Sequence, residues 1–263
     1  MCHESPTDRE RCPRLSSSRP DQPADAEAHR DASFDDVWAT AQHFTGWLTE
    51  AQARLLHAEA LAAPGTTDAL EIGSHQGRST AVLAHARRAR GGRLVALDPF
   101  VDGRLFGGAA TRTIFEKNMA TAGVRDVIDL RVAYSTKERA SWSTPLSLLY
   151  VDGKHDYWTA GDDLMWAVHL PEGGAVLVHD CYSSIGVTLA ILRHVLFSRT
   201  LRYERRAGSL ALFRVGRPSL ADRGRVLAEM PWWIRNVGIK VLLRLRLRPV
   251  ARLVGHDSPY DPY

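Results

Sequence analysis

The sequence predicts an α/β domain: a doubly wound, mostly parallel sheet closed by one antiparallel strand, with two helices ahead of it and a basic helical tail behind. Three observations carry this. From residue 69 to residue 197, short continuously apolar segments alternate with helix-length ones, as expected of strands whose two faces are both covered by helices. A glycine-bearing turn follows the first of those strands, where open α/β sheets bind ligands. Two β-rich segments near the end, 201–204 and 209–215, are close enough to pair as a hairpin, which turns one strand antiparallel.

The elements follow in order. Residues 1–33 are rich in Pro, Ser, Asp and Arg with almost no large apolar side chain, and are expected to be a disordered leader. Phe34, Val37, Trp38, Ala41 and Phe44 recur at helical spacing. Thr49 followed by Gln52 has the form of a capping box, and Leu55, Leu56 and Leu61 continue an apolar face until Pro64-Gly65 stops it. A strand at 69–72 leads into a helix at 77–90, and Gly91-Gly92 turns the chain into a strand at 94–97. A helix at 111–122 and strands at 127–132 and 146–151 come next. After a helix at 157–169, the turn Pro171-Glu172-Gly173-Gly174 opens a strand at 175–178, and a helix at 185–197 precedes the hairpin. The expected organisation is a leader at 1–33, a main domain at 34–216 and a tail at 217–263.

Lys and Arg number 34 against 30 Asp and Glu, a net charge of +4. Residues 217–263 hold nine basic residues and four acidic ones, so the surplus belongs to the tail and the body is close to neutral. A neutral body suits a small-molecule enzyme better than a nucleic-acid binder. The three cysteines, Cys2, Cys12 and Cys181, have no zinc-site spacing, which points to a reducing cytoplasm. No charged start runs into an apolar stretch, and no run of about 18 residues is free of charge, so neither a secretory signal nor a membrane span is expected.

The first turn reads Glu71-Ile72-Gly73-Ser74-His75-Gln76-Gly77-Arg78-Ser79-Thr80. Its Gly73-x-x-x-Gly77 spacing differs from a dinucleotide fingerprint. The second strand ends in Asp98-Pro99-Phe100, an acid placed to accept ribose hydroxyls or to shape a turn. Together with Tyr150-Val151-Asp152-Gly153-Lys154-His155-Asp156-Tyr157 and Gly173-Gly174…His179-Asp180, these motifs resemble class I S-adenosylmethionine-dependent methyltransferases, in the small-molecule O-methyltransferase branch. The resemblance covers about residues 45 to 215. It implies a Rossmann-like, seven-stranded sheet with the last strand antiparallel. It also implies that Glu71 lies near the methionine amino group and that Gly73 and Gly77 let the cofactor pack closely. Asp98 would hold the ribose and Ser135 would lie near the adenine, with Ser74, His75, Ser79 and Asp152 completing the cofactor surroundings.

The same resemblance implies a divalent cation on Asp152 and Asp180, with Mg²⁺ the ion suited to hard carboxylates. The chain departs from that pattern at Lys154 and at Cys181, a soft ligand where an acid or amide is common. Without a metal, an imidazole of pKa near 6.5 is suited to take the hydroxyl proton. His155 and His179 are the candidates, with Asp152 and Lys154 beside them. Strand alternation would aim His179 away from Asp180, and His155 could equally cap the following helix.

In the tail, Ile234, Val237, Val241 and Leu245 recur at three-to-four spacing beside Lys240, Arg244, Arg248 and Arg252. Pro249 interrupts that helix. Packing on the domain, a homodimer contact and peripheral membrane contact through 230–254 are all open. The expected activity is O-methylation of a small hydroxylated molecule such as a sugar, glycoside or specialised metabolite. The alternatives are a non-catalytic cofactor-binding module on a membrane or protein assembly, and a nicotinamide oxidoreductase.

Overall fold

The computed structural model describes residues 33–101 and 108–257. All but the last residue of the expected leader, with Cys2 and Cys12, lies outside the described residues, as does most of the segment 101–110. The described residues belong to one compact unit that begins at Asp31.

Seven strands form one sheet: β1 (Asp68–Ile72), β2 (Leu94–Leu97), β3 (Ile128–Arg131), β4 (Leu146–Val151), β5 (Ala175–Val178), β6 (Leu201–Ala207) and β7 (Leu210–Val215), in the order β3-β2-β1-β4-β5-β7-β6. β7 runs antiparallel to both of its neighbours, and every other pairing is parallel. The last strand is thus the one reversed strand, as expected. Side-chain alternation assigns the two cores. Leu94, Ala96, Leu148 and Tyr150 face one, with Leu56, Val82, Phe115 and Met119. Val95, Leu97, Leu149 and Val151 face the other, with Trp166, Tyr182 and Phe213.

The helices α1 (Phe34–Ala41) and α2 (Glu50–Ala62) begin in capping boxes, with Ser33 and Thr49 as N-caps. α3 (Arg78–Ala89) and α4 (Gly108–Thr121) follow β1 and β2, and α4 starts three residues earlier than expected. α5 (Ser135–Ser141) was not expected, because STKERAS has no apolar periodicity to reveal it. The expected helix 157–169 is α6 (Tyr157–Leu164) followed by a 3-10 turn at Met165–His169. The expected helix 185–197 is α7 (Ile185–Ile191) followed by a π turn at Leu192–Leu196. The tail folds as α8 (Leu220–Ala228), α9 (Met230–Arg244) and α10 (Arg248–Leu253), with Pro249 in the first turn of α10, where its missing N–H costs nothing.

Arg87 fixes where α2 ends and β1 begins. Its buried guanidinium donates to the carbonyls of Ala60 and Ala63 through Nη1 and of Pro64 and Thr67 through Nη2, at 2.6–3.2 Å. Glycine at 92 leaves room for this guanidinium, since a Cβ there would lie 2.2 Å from Nη2. Arg87→Met leaves these carbonyls without their donor and should cost about 2–4 kcal/mol in urea denaturation. A loss below about 0.5 kcal/mol, typical of a surface change, would show that the linker does not depend on Arg87.

Candidate active site

The parallel register brings the strand tips into one line. Gly73 N donates to Leu97 O at 2.9 Å, Asp98 N to Arg131 O at 3.1 Å, Asp152 N to Ile72 O at 2.8 Å and His179 N to Val151 O at 2.9 Å. The residues just beyond β1, β2, β4 and β5 therefore share the carboxyl edge of the sheet, where open α/β sheets bind ligands.

The turn after β1 is shaped by carboxylates. Asp98 Oδ2 accepts the backbone N–H of Ser74 at 3.0 Å and of His75 at 2.9 Å, while its Oδ1 accepts that of Phe100 at 2.8 Å. Those bonds hold His75 and Phe100 in left-handed backbone, at φ of 46° and 44°. Glu71 is fully buried and accepts three hydroxyls: Ser79 at 2.6 Å, Thr80 at 2.5 Å and Ser74 at 3.0 Å. Burial pushes its pKa up to about 7, against the three hydroxyls that favour the charged form. Gly73 sits at φ 89°, and a Cβ there would lie 2.2 Å from the Asp152 carbonyl oxygen. Gly77 begins α3, and its vacant Cβ position faces Met119 and Phe115. The two glycines thus serve the approach of β4 and of α4, and the Ser74 and Ser79 hydroxyls serve Glu71. The His75 ring lies against Trp47, with centroids 5.4 Å apart.

Beyond β4 and β5, four titratable side chains meet. His155 Nδ1 is 3.2 Å from Asp180 Oδ2, and its Nε2 is 3.6 Å from Asp152 Oδ1. His179 Nδ1 is 3.3 Å from Asp152 Oδ1 and 3.5 Å from Asp180 Oδ1. Tyr150 donates its hydroxyl to Asp152 Oδ2 at 3.0 Å, and Ser183 donates to Asp180 Oδ1 at 3.1 Å. Burial alone would raise both acids and lower both imidazoles. The opposite charges outweigh burial: Asp152 is held well below the usual carboxylate range and Asp180 is lowered, while His155 is raised and His179 is raised far above its ordinary value.

The expectation that alternation turns His179 away does not hold. β5 ends at Val178, and Asp180 adopts φ 55°, so the extended two-residue repeat stops before it can separate the two side chains. His179 is only 2% exposed, and its Nε2 lies 3.4 Å from Gln52 Oε1. Gln52 in turn donates to Ser209 Oγ at 3.0 Å. Lys154 is not brought into the cluster. It is 79% exposed and reaches forward to Asp156, the N-cap of α6, at 3.1 Å. Ser135 opens α5, and its hydroxyl bonds Asp163 at 2.5 Å, a carboxyl that burial raises to about 6. Cys181 is buried beside Asp180, and burial pushes its thiol well up. Tyr150 was legible as the same-face neighbour of Asp152, two residues back. Gln52, 127 residues from His179, left no signal in the sequence.

Residues 70–181 match the family model described as a methyltransferase domain. Solved structures share the chain's fold. Cofactor-bound Rv0187 from MTB is 20% identical over 68% of this chain and 87% of its own, with a TM-score of 0.54. The O-methyltransferase from Bacillus cereus in complex with SAH is 18% identical over 73% and 94%, with a TM-score of 0.52. The O-methyltransferase TomG from Streptomyces achromogenes, involved in tomaymycin synthesis and solved with SAM, is 18% identical over 73% and 93%, at a TM-score of 0.50. The matched segment runs from β1 to Cys181, so it contains both the carboxylate-shaped turn and the four-residue cluster.

The buried Glu71 gives this domain a pH signature. Folded, its carboxyl titrates at about 7, and unfolded at 4.5. Between those values the folded chain keeps a proton that the unfolded chain has lost, so rising pH removes stability. Relative to Glu71→Gln, which does not titrate, the wild-type protein should lose about 3 kcal/mol between pH 4.5 and 7.5. Urea denaturation of both proteins across that range measures it, and a constant difference would contradict the buried, protonated carboxyl.

Proposed function

We propose that the protein transfers the methyl group of S-adenosylmethionine to a hydroxyl of a small molecule. The observation that carries this is the Asp152, His155, His179 and Asp180 cluster, set beside the β1 turn inside a matched methyltransferase domain. When bound, S-adenosylmethionine supplies a cationic sulfonium whose methyl a hydroxyl oxygen takes by direct displacement. The residues fit such a cation: Asp98, Asp152 and Asp180 line the strand tips, and Lys154 is paired elsewhere. Gly73 and the Asp98-pinned amides of Ser74 and His75 form the adjoining backbone surface.

His155 is the residue suited to take the proton. It is about half exposed, whereas His179 is buried. Its Nδ1 is held by Asp180 at 3.2 Å, while the looser 3.6 Å contact of Nε2 with Asp152 leaves that nitrogen open to a substrate hydroxyl. Asp180 then orients the ring and balances the imidazolium that results, the role of an acid behind a histidine base. His179 and Tyr150 fix Asp152 from behind. Orientation is a large share of catalysis in a displacement of this kind.

Mg²⁺ does not fit these side chains. Asp152, His179 and Asp180 bring one ligand atom each within 4.8 Å of one another, so the donor set is two oxygens and an imidazole nitrogen. Mg²⁺ selects oxygen ligands. Both carboxylates already face imidazoles, and Cys181 offers no oxygen. The mechanism therefore rests on the chain's own acids and bases. The small-molecule class is supported by the near-neutral body and by the likeness to TomG; a specialised metabolite or a glycoside carries the hydroxyl in this proposal.

Calorimetric titration with S-adenosylhomocysteine, with and without EDTA, should give the same binding in both. Absence of heat in either case would end the methyltransferase proposal. His155→Ala should lower kcat on an accepted hydroxyl substrate by about 10²–10⁴-fold and leave S-adenosylhomocysteine affinity unchanged. Turnover that EDTA abolishes and Mg²⁺ restores would contradict the metal-free assignment.

A further inference from the structure

The tail presents a surface that the reaction does not use. Residues 230–254 contain Arg235, Lys240, Arg244, Arg246, Arg248 and Arg252 and not one acidic residue. One face of α9 packs inward through the buried Asn236 and Ile239. The opposite face carries Ile234, Val241 and Leu245 at helical spacing, and these are 65%, 50% and 63% exposed. The apolar stripe expected from the sequence therefore exists, but it points outward. It continues into Leu247, Val250 and Leu253, all exposed, the last at 86%. Arg235 pins α9 to the end of α10 by donating to Val254 O and Gly255 O at 2.8–3.1 Å, so the two helices form one hairpin. Among the described residues, Arg244, Arg246 and Arg248 have no carboxylate partner.

We infer that this hairpin docks the protein on an anionic lipid surface. Exposed aliphatic side chains interleaved with arginines on an acid-free segment match an interfacial helix, whose apolar face enters the headgroup boundary while the cations meet anionic lipid. No described helix is long and apolar enough to cross a membrane, so the hairpin lies on the surface. A second copy is a poorer occupant, since two acid-free faces would repel and the body has no acidic surplus to offer. Nucleic acid is poorer too, because Leu and Val offer no ring for a base to stack on. The hairpin also reaches the chemistry. Asn236 donates to Tyr182 O at 3.1 Å, two residues past Asp180, and Tyr182 is itself in left-handed backbone at φ 59°. The docked surface is thus braced against the loop that carries one of the cluster's acids.

Sedimentation of the full chain with vesicles tests this. It should pellet with vesicles rich in phosphatidylglycerol, stay in solution with phosphatidylcholine alone, and be released at about 1 M salt, where screening acts within about 3 Å. The joint change Arg244→Gln, Arg246→Gln and Arg248→Gln should weaken the partition on the order of ten- to a hundredfold. Leu245→Ser with Leu253→Ser should weaken it too, and both variants, altered only at exposed positions, should keep wild-type S-adenosylhomocysteine binding. Equal pelleting with neutral vesicles, or none with either, would overturn the inference. So would a dimer in sedimentation equilibrium that the arginine changes leave intact, or tighter binding to polyuridylate than to anionic vesicles.

Discussion

The site depends on one close approach. The turn after β1 and the tip of β4 come together where Gly73 meets the carbonyl of Asp152, at a distance no side chain could share. Parallel pairing of β1 with β4 makes the approach possible, because Ile72 and Val151 are in register and Asp152 N bonds Ile72 O. It ties the surface expected to take the cofactor to the acid expected to face the reacting hydroxyl. Asp98 and Glu71 then set the turn from either side, one through backbone amides and the other through hydroxyls. The proposed displacement needs donor and acceptor closely aligned, and the approach of Gly73 to Asp152 fixes the backbone on which that alignment would rest.

The second determinant is charge balance. Asp180 is buried and Asp152 largely so, and two uncompensated carboxylates this close together would be costly. The buried His179, raised far above its ordinary value, faces both acids as the compensating cation, so the cluster is held together by the same interactions that shift its members. Burial divides the two histidines. His179 is locked between Asp152 and Gln52 and acts as a brace, while His155 keeps one side toward solvent. The same loop is braced from outside by Asn236, which joins the tail to the domain.

Much of the fold could be read because its signals are local. The strands at 94–97, 146–151 and 175–178 have the expected bounds, since apolar runs closed by Gly, Pro or Asp leave little choice. α5 leaves no sequence signal because a polar helix carries no apolar periodicity, and α8 is hidden because the charge pattern makes the tail look like one basic segment. In the site, the motif acids Glu71, Asp98, Asp152 and Asp180 do gather at the strand tips. What failed was inference from chain proximity. Lys154, two residues from Asp152, turns to a helix cap instead, and His179 stays beside Asp180 because one left-handed residue breaks the alternation. Gln52 and Ser209 reach the site across the whole domain, through packing that no short motif encodes.

In the proposed reaction, the approach of Gly73 to Asp152 joins the cofactor surface to the tip of β4. Calorimetric titration of Gly73→Ala with S-adenosylhomocysteine, alongside far-UV circular dichroism, tests it most directly. A Cβ at that position must push the β1 turn off β4. The variant should keep its secondary structure and bind at least about tenfold more weakly, the equivalent of 1.4 kcal/mol. Wild-type affinity in a folded Gly73→Ala protein would contradict it.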